Sequence, residues 1–346
     1  MSTQIRALIV GATGYTGSEL VRLLLDHPNI EIAGVTSSSR AGTRFDEIYP
    51  QFAGHFDQKL TPTEEINPSD FDLIFLGLPH GISMSFVKQH GYSQTPIIDL
   101  SGDFRLSSAE LYNQWYPEQH VLPEAIEDAV FGLPEWFSEH IRKTNLIANP
   151  GCYPTSSILP LIPLIKSGKV DPATIIIDSK SGVTGAGANA KSITHFPTVN
   201  DNFSVYGLMK HRHTPEIEDI TRQVTGTATT IQFTPHLLPV SRGILTMVYG
   251  RGNGVSSEAE VRSWFEDAYG DKPFVRLNTK PPSLHEVRGT NYCNLYASYD
   301  PRTGNVIVIS VIDNLVKGAA GQAIQNANLR FGFPETAGLK HSSLAP

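Results

Sequence analysis

The residue types best suited to chemistry are a loop cysteine and two histidines further along the chain. Cys152 follows a Pro-Gly turn and precedes Tyr153-Pro154 and an apolar stretch, in which the proline suits only the first turn of a helix. We therefore expect the thiol at a helix N-terminus, where the dipole and free N–H groups stabilise a thiolate or an oxyanion. A buried structural thiol is the alternative, because free cysteines are among the most buried residues.

A cysteine nucleophile needs a proton partner within hydrogen-bond reach. His211 and His213 lie in the polar segment HRHTPE, and their positions do not choose between them. Thr214 as N-cap and Pro215 as the first helical residue predict a helix that runs to about Val224. A metal site is not predicted at the two histidines, because no third ligand lies at a natural spacing.

A glycine-rich turn near the start of the chain provides the second chemical signal. The apolar run Ile5–Val10 predicts a buried strand, GATGYTG follows at residues 11–17, and Ser18–Leu25 has helical periodicity. Strand, glycine turn and helix together are typical of a dinucleotide site, where backbone N–H groups bind the pyrophosphate. A tight turn that binds nothing is the alternative. The predicted cofactor contacts in this turn are Gly11, Thr13, Gly14, Tyr15, Thr16 and Gly17.

The end of the second predicted strand, Ile30–Thr36, favours NADP over NAD. Sites for NAD usually have a carboxylate here, which binds the ribose 2′-hydroxyl. This chain has three serines and an arginine instead, and Ser37, Ser39 and Arg40 are predicted to hold a 2′-phosphate. An ordinary polar turn is the alternative.

The order of the predicted elements gives the fold class. Strands and helices alternate from residue 5 to about residue 100, which predicts an α/β domain of the Rossmann type with a doubly wound parallel sheet. Loops at strand ends place His80, Ser101 and Arg105 on its ligand-binding edge. The half after Cys152 predicts a mostly antiparallel α+β domain, followed by one long helix over Asp313–Phe331.

Composition narrows the possible partners and compartments. The net charge is −7 and the basic residues are not clustered, which argues against a nucleic-acid partner. Two cysteines form neither a disulfide framework nor a zinc site, and they fit a reducing, cytoplasmic setting. The sequence predicts no signal peptide and no membrane-spanning run.

A cysteine, an imidazole and a nicotinamide cofactor have one natural joint use. The thiolate attacks a carbonyl carbon, and a hydride moves between the cofactor and the covalent adduct, which interconverts an aldehyde and an acyl thioester. The acyl group then passes to phosphate, water or another thiol. The residues therefore predict an oxidoreductase that works through a thioester.

Four segments, taken in order, resemble those of the N-acetyl-γ-glutamyl-phosphate reductases of arginine biosynthesis, a family related to aspartate-semialdehyde dehydrogenase. The likeness extends over nearly the whole chain and includes a loop, SGVTGAGAN at residues 181–189, that has Ala188-Asn189 where many relatives have a basic residue. The four segments are GATGYTG at 11–17, NPGCYPT at 149–155, HRHTPEI at 211–217 and DNLVKGAAGQAIQNAN at 313–328.

The resemblance implies an NADPH-dependent reduction of a small acyl phosphate to a semialdehyde. Cys152 would expel phosphate and form the thioester, and His211 would be the acid/base, with His213 as the second choice. The substrate contacts that it implies are Ser101, Arg105, Glu135 and His213. Further cofactor contacts that it implies are Ser181, Gly182 and Asn314.

The resemblance also implies a discontinuous cofactor domain and self-association. The NADP-binding domain would comprise residues 1–150 plus about 314–346, and residues 151–313 would form the catalytic and dimerisation domain of a homodimer or homotetramer. Two alternatives stay open. One is a paralogue acting on aminoadipyl or aspartyl phosphate, and the other is an NADP-binding sensor without turnover.

Overall fold

The computed structural model describes residues 4–344 and divides the chain into two compact units. The first unit runs to Pro150 and takes in Ala319–Lys340 as well. The second unit comprises Gly151–Gly318 and the residues from His341 onward. The first unit is thus built from two separate stretches of chain, and its second stretch begins at Ala319, where the sequence placed it near residue 314.

A six-stranded parallel sheet forms the centre of the first unit, as predicted. Its spatial order is β2-β1-β3-β4-β6-β5, so the chain reverses direction across the sheet between β1 and β3. Open sheets of this kind bind ligands at such a reversal, beyond the carboxyl ends of the strands. The strands are β1 Ile5–Val10, β2 Ile30–Val35, β3 Leu73–Leu76, β4 Ile97–Asp99, β5 Val130–Phe131 and β6 Leu146–Ala148.

Helices accompany this sheet, and its strands are buried. Leu8, Val10, Ile74, Leu76 and Ile97 have no exposed side-chain surface and pack in one core cluster. That burial explains the near-continuous apolar runs in the sequence. The first six helices are α1 Tyr15–Leu24, α2 Phe45–Ile48, α3 Ile82–His90, α4 Ala109–Trp115, α5 Pro123–Asp128 and α6 Pro134–Ile141.

The second unit contains a seven-stranded mixed sheet. Its order is β11-β12-β13-β10-β7-β9-β8, with parallel pairing only at β11–β12 and β7–β9, so the mostly antiparallel prediction is confirmed. Its strands are β7 Ile176–Gly182, β8 Ser204–Val205, β9 Gln232–Leu238, β10 Ile244–Arg251, β11 Val275–Leu277, β12 Cys293–Asp300 and β13 Asn305–Ile312. Its helices are α7 Cys152–Lys166, α8 Phe196–Val199, α9 His213–Thr225 and α10 Glu258–Tyr269.

Helix α7 passes through the core of the second unit. Every residue from Tyr153 to Ile165 is buried, and the helix packs against α9, α10, β10 and β13. A helix that is apolar on all sides is stable only when it is surrounded in this way. Its first residue is Cys152, so the core packing of α7 holds the thiol at a fixed place.

Two helix predictions are wrong in detail. Helix α9 begins at His213 with Arg212 as N-cap, two residues earlier than predicted, because the Thr214 N–H bonds the His211 carbonyl and so already belongs to the helical turn. The predicted long helix from Asp313 is interrupted: a π-helical turn over Val316–Ala320 precedes α11 Gly321–Arg330.

The Asp313 carboxylate caps the π-helical turn that precedes α11. Its Oδ1 accepts the N–H groups of Leu315 at 2.8 Å and Val316 at 3.2 Å. Such a side chain satisfies N–H groups that have no carbonyl partner at the start of a helical turn. The residues just after Asp313 are therefore held in a capped turn.

Candidate active site

Cys152 lies at the N-terminus of α7, as predicted. Gly151 is the N-cap and contributes no side-chain hydrogen bond, so the thiol-bearing residue opens the helix with its first N–H groups uncapped by a side chain. The Gly151 N–H is bonded at 2.8 Å to Oε1 of Glu216, a fully buried residue in the first turn of α9. Helix α9 is thereby fixed to the turn that carries Cys152.

Gly318 lies directly against Cys152. A Cβ atom added to this glycine would come within 2.8 Å of the Cys152 Cβ and 3.2 Å of its Cα. Real Cβ atoms essentially never approach so closely, so only glycine fits here. The π-helical turn therefore fits closely against the first residue of α7.

An aromatic cluster brings both predicted histidines to the residue next to the thiol. The Tyr153 ring is 5.5 Å from the His211 ring and 6.0 Å from the His213 ring, and the two imidazoles are 4.8 Å apart. Tyr206 and Phe233 pack edge-on against His211 at 5.6 and 5.5 Å. We call these five residues the aromatic cluster.

The environment of His211 keeps its ring neutral. Burial lowers its pKa to about 4, and the Arg212 cation adds to the decrease. Nδ1 of His211 accepts the peptide N–H of His213 at 3.2 Å. At neutral pH His211 is thus an uncharged imidazole with one nitrogen already engaged.

The two tyrosines of the aromatic cluster form a short hydroxyl chain. The Tyr206 hydroxyl donates to the Tyr153 hydroxyl, which donates to the His236 carbonyl, each at 3.0 Å. Burial raises the pKa of Tyr206, and the nearby Cys152 thiol raises it further. Burial likewise raises the pKa of Tyr153. Both hydroxyls therefore stay protonated at physiological pH.

The predicted loop residues Ser181, Gly182 and Asn314 also come together in the second unit. The structure places Ser181 and Gly182 at the end of β7 rather than in a loop. A Cβ on Gly182 would lie 2.9 Å from the Arg242 backbone nitrogen, so the end of β7 and the loop after it pack closely on the turn before β10. The Asn314 carboxamide accepts from the Gly243 N–H at 2.7 Å and donates to the Thr184 hydroxyl at 2.9 Å. Asn314 thus holds the loop to that turn, a role that the sequence did not suggest.

In the first unit the glycine-rich turn has the shape of an anion-binding loop. Gly11 has φ +79°, and a Cβ there would lie 2.6 Å from the Gly77 carbonyl oxygen, while a Cβ on Gly17 would lie 2.7 Å from the Ala12 backbone. Gly14 is the N-cap of α1, has no side-chain cap, and has no atom nearer than 3.8 Å to an added Cβ. The uncapped N–H groups and open space fit a dinucleotide pyrophosphate.

The remaining residues of that predicted site surround the turn. The Thr13 hydroxyl is 3.0 Å from the hydroxyl of Ser37, which is buried. Ser39 and Arg40 are exposed beyond the end of β2. Tyr49, which the sequence did not single out, donates its hydroxyl to the Thr13 carbonyl at 2.8 Å. Tyr15 and Thr16 open helix α1.

Ser101 and Arg105 lie at the carboxyl edge of the first sheet, as predicted. The Ser101 hydroxyl donates to Asp99 Oδ2 at 2.6 Å and accepts the Asp103 N–H at 3.1 Å. Arg105 donates to the carbonyls of Asn149 at 2.7 Å and Leu100 at 2.8 Å. The guanidinium therefore joins the ends of the neighbouring strands β4 and β6.

Glu135 and His80 have different surroundings. Glu135 is a buried residue in the first turn of α6, where its Oε1 accepts from Gln325 of α11 at 3.5 Å. His80 Nδ1 accepts the Gly102 N–H at 2.7 Å. The bonds that the structure shows thus place Glu135 against α11, while His80, in the loop after β3, is bonded to the loop after β4 that carries Ser101.

Buried carboxylates at this edge were missed in the sequence. Asp103 accepts the N–H groups of Gly81 at 3.0 Å and Met84 at 2.9 Å at the start of α3. Burial and the adjacent Asp103 charge raise the pKa of Asp99 to about 6. No spacing signal marks these residues, because their role depends on how the strands are ordered.

Residues 4–344 contain no group of three or more His, Cys, Asp or Glu side chains placed to hold a metal ion. Within the same range every helix is too short or too polar to traverse a bilayer.

Comparison with protein families and curated sequences gives consistent matches. Residues 6–144 match the model for the NAD-binding domain of semialdehyde dehydrogenases, and residues 152–314 match the model for their dimerisation domain. A protein from Pelotomaculum thermopropionicum is 46% identical over 348 residues, covering 99% of both chains. A Desulfotalea psychrophila protein is 48% identical, covering 99% of this chain and 100% of its own. Both are named N-acetyl-gamma-glutamyl-phosphate reductase.

Solved structures of aspartate semialdehyde dehydrogenases share the fold. The Vibrio cholerae enzyme II, complexed with ASA, superposes with a TM-score of 0.73 at 18% identity, covering 96% of this chain and 99% of its own. The Candida albicans enzyme with NADP gives 0.70 at 17%, covering 94% and 98%. The predicted combination of a dinucleotide-binding parallel sheet and a mixed-sheet domain is confirmed.

Proposed function

The chain belongs to the N-acetyl-γ-glutamyl-phosphate reductase family of semialdehyde dehydrogenases, and from that premise we propose that it reduces N-acetyl-γ-glutamyl phosphate to N-acetylglutamate semialdehyde with NADPH. The names of its relatives support an oxidoreductase of amino-acid biosynthesis that binds a nicotinamide dinucleotide. The acyl phosphate, the preference for NADP and the thioester route belong to the proposal.

The observation that carries the proposal is the position of Cys152. Its thiol opens helix α7, with uncapped N–H groups behind it and two imidazoles packed against the next residue. A helix N-terminus favours the thiolate over the thiol. A purely structural cysteine has no need of this arrangement, and Cys293, which is fully buried in β12, illustrates the difference.

The chemistry follows from a thiolate at that place. Sγ of Cys152 attacks the carbonyl carbon of the acyl phosphate, and the carbonyl electron pair moves to oxygen. When the C=O bond re-forms, the bond to the phosphate oxygen breaks, and phosphate leaves and takes a proton from solvent. A bound nicotinamide cofactor supplies the hydride that reduces the thioester carbon. The C–S bond then breaks with its electron pair on sulfur, and the aldehyde is released.

The residues proposed to hold the cofactor phosphates are those of the glycine-rich turn and the end of β2. The uncapped α1 N-terminus at Gly14 fits the pyrophosphate, and Ser39 and Arg40 are proposed for the 2′-phosphate. Further proposed cofactor contacts are Ser181 and Gly182 at the end of β7, and Asn314. The proposed substrate contacts are Ser101, Arg105, Glu135 and His213, of which Ser101 is already bonded inside its own turn.

The reverse reaction tests this function. N-acetylglutamate semialdehyde, phosphate and NADP⁺ are supplied, and the formation of NADPH is followed by the absorbance of its reduced nicotinamide at about 340 nm. We expect turnover that requires phosphate and a clear preference over aspartate semialdehyde. Faster turnover of aspartate semialdehyde would identify a paralogous activity. NADP binding without turnover of either aldehyde would favour the sensor hypothesis.

We also propose a cytoplasmic homo-oligomer in which the open face of the second sheet contacts another copy. Met247 and Tyr249 of β10 pair with Ile309 and Ile307 of β13, and all four side chains are half-buried on one face. An apolar sheet face of this kind usually requires a partner layer. The match of this region to a dimerisation domain supports the oligomer, and two cysteines that form no disulfide fit the cytoplasm.

Sedimentation analysis of wild type and Met247→Glu tests the assembly. We expect a dimer or tetramer for the wild type and a monomer for the variant, because a carboxylate buried in an apolar contact is costly. A monomeric wild type would refute the proposal.

A further inference from the structure

The Asp313 carboxylate is fully buried and joins three separate segments of the second unit. Its Oδ1 accepts the N–H groups of Leu315 and Val316, and its Oδ2 accepts the N–H of Gly289, which precedes β12, at 2.7 Å. The guanidinium of Arg242, in the turn before β10, lies 3.0 Å from Oδ2 through Nε and donates to Oδ1 through Nη2 at 3.1 Å. The carboxylate therefore ties two neighbouring segments to the start of the π-helical turn.

These contacts leave Asp313 no lone pair for a ligand. A carboxylate has about four lone-pair positions, and the peptide N–H groups and the Arg242 fork together occupy them. The guanidinium also balances a charge that would be costly to bury alone. Asp313 therefore acts through the backbone that it holds rather than through contact with a substrate.

The stretch that Asp313 holds ends at Gly318. The Asp313 carbonyl accepts the Gly318 N–H at 3.0 Å and closes the π-helical turn, while the side chain binds N–H groups at the start of the same turn. One residue thus fixes both ends of residues 313–318. Turns of this kind are rare and are frequent at functional sites. The position of Gly318 is therefore set by Asp313 and its partners.

Gly318 in turn lies against the residue that carries the proposed nucleophile. A Cβ atom on this glycine would lie 2.8 Å from the Cys152 Cβ. The two backbones already approach as closely as a glycine allows, so a shift of the turn must either push Cys152 or open a gap beside it. Packing through Gly318 therefore links the Asp313–Arg242 ion pair to Cys152.

We propose that Asp313 and Arg242 are positioning residues for Cys152. Their ion pair holds the π-helical turn in the one place where Gly318 fits against the thiol-bearing residue, and its effect on catalysis rests on the proposed function. Arg242 presents Nε and Nη2 as a planar fork, which fixes direction as well as distance. When the fork is lost, the turn moves, and the thiol leaves its place at the N-terminus of α7.

Substitutions of Arg242 test this link, with kcat measured at saturating cofactor. Met keeps much of the side-chain length without the charge, and Lys keeps the charge without the fork. We expect Arg242→Met to lower kcat roughly 10–100-fold, the cost of a small displacement of a reacting group, and Arg242→Lys to recover at least about threefold of that loss. KM should stay within about twofold. Arg222 is the matched control, because it pairs with the buried Asp219 carboxylate at 2.7 Å, and Arg222→Met should keep the wild-type kcat.

A double-mutant cycle with Gly318→Ala separates positioning from a general loss of folded protein. If Arg242 acts through Gly318, a released turn has room for the extra methyl group. The double variant of Arg242→Met and Gly318→Ala should then be no more than about threefold slower than the slower single variant. Losses in kcat that multiply would overturn the proposal, and so would equal losses in Arg242→Met and Arg222→Met.

Alkylation of Cys152 by iodoacetamide gives a readout that needs no turnover. In the Cys293→Ala background we expect the pH midpoint of the alkylation rate to be higher in both Arg242 variants than in the wild type, because a displaced thiolate loses stabilisation by the α7 N-terminus. An unchanged midpoint would overturn the proposal, and Arg242→Lys alone decides this if Arg242→Met does not fold. If the wild type turns over no aldehyde, the proposed function fails, and the alkylation midpoints still decide whether Arg242 positions the thiol.

Discussion

The glycine-rich turn of the first unit and the aromatic cluster of the second are assembled in different ways. The turn is continuous in sequence from Gly11 to Gly17, and its fit depends on backbone atoms and on missing side chains. The aromatic cluster draws on Tyr153, Tyr206, two histidines and Phe233, which come from four separate segments. A local backbone site tolerates little change in residue size, whereas a site of distant side chains depends on the packing of whole elements.

The two regions also differ in their electrostatic environment. The N-terminus of α1 is left without a side-chain cap, which suits an anionic ligand. Around His211, buried rings and the Arg212 cation instead keep the imidazole uncharged. The first region thus offers uncapped N–H groups to an anion, whereas the second encloses an uncharged ring.

The largest expected effect comes from replacing Cys152, which should remove turnover and leave cofactor binding in place. Cys152→Ala should abolish formation of the acyl-enzyme and reduce turnover by on the order of 10⁴-fold, because no other group replaces the nucleophile. Binding of NADP⁺, measured by fluorescence titration, should remain within about twofold. Cys293→Ala is the control, since that thiol is buried in β12 beside the Ser310 hydroxyl. Turnover retained by Cys152→Ala would refute the thioester route.

The sequence predicted the glycine-rich turn, whose residues are contiguous, better than the aromatic cluster, whose residues come from distant segments. Strand β1 has the predicted bounds, and the turn between β1 and α1 was recognised because strand, glycines and helix are contiguous. The apolar runs and short-range spacing that carry such predictions do not report the order of strands in a sheet. Contacts such as that of Gly318 with Cys152, or Glu216 with Gly151, therefore had no sequence signal.

The choice between His211 and His213 shows the same limit. Both lie on one polar segment, and their positions do not choose between them; only the family resemblance ranked His211 first. The structure distinguishes them by a hydrogen bond: the His213 peptide N–H donates to Nδ1 of His211. The helix start was also misplaced by a side-chain rule, because Thr214 lies inside α9 and the turn begins with the His211 carbonyl.

The next largest effect tests whether the glycine-rich turn is a backbone site. Gly17→Ala places a Cβ 2.7 Å from the Ala12 backbone, so the turn must shift. We expect NADP⁺ binding to weaken by roughly 10–100-fold and the unfolding midpoint to fall, because overpacking costs about 1–3 kcal/mol. Alkylation of Cys152 by iodoacetamide should be unchanged.

Gly14→Ala is the matched comparison within the same turn. An added Cβ there meets nothing closer than 3.8 Å, so the protein itself accommodates it. We expect weaker NADP⁺ binding with an unchanged unfolding midpoint, because the methyl group occupies the space over the α1 N-terminus. Equal NADP⁺ affinity in Gly14→Ala and wild type would show that the pyrophosphate does not bind there.

Gly318→Ala tests the second region, again by adding one methyl group to a glycine. Its Cβ would lie 2.8 Å from the Cys152 Cβ, so the thiol must move relative to the aromatic cluster. We expect kcat to fall roughly 10–100-fold, since small misplacements of a reacting group have this cost, while NADP⁺ binding is kept. Gly332→Ala is the control: its φ of +71° makes alanine strained there, and nothing lies within 4 Å. That variant should lose stability but keep kcat.

The smallest effect concerns cofactor preference and tests Arg40, an exposed charge beyond the end of β2. Arg40→Ala should weaken NADP⁺ binding by roughly tenfold, the value of one charge-assisted contact at an exposed site, and leave NAD⁺ binding unchanged. Arg44→Ala is the matched control, because that guanidinium is already paired with Asp46 at 2.6 Å. The NADP⁺ contribution should also decrease with added salt, since exposed charges are screened. An equal loss for NAD⁺ and NADP⁺ would mean that Arg40 only shapes the loop, and recognition of the 2′-phosphate would then fall to the buried Ser37 and its exposed neighbour Ser39.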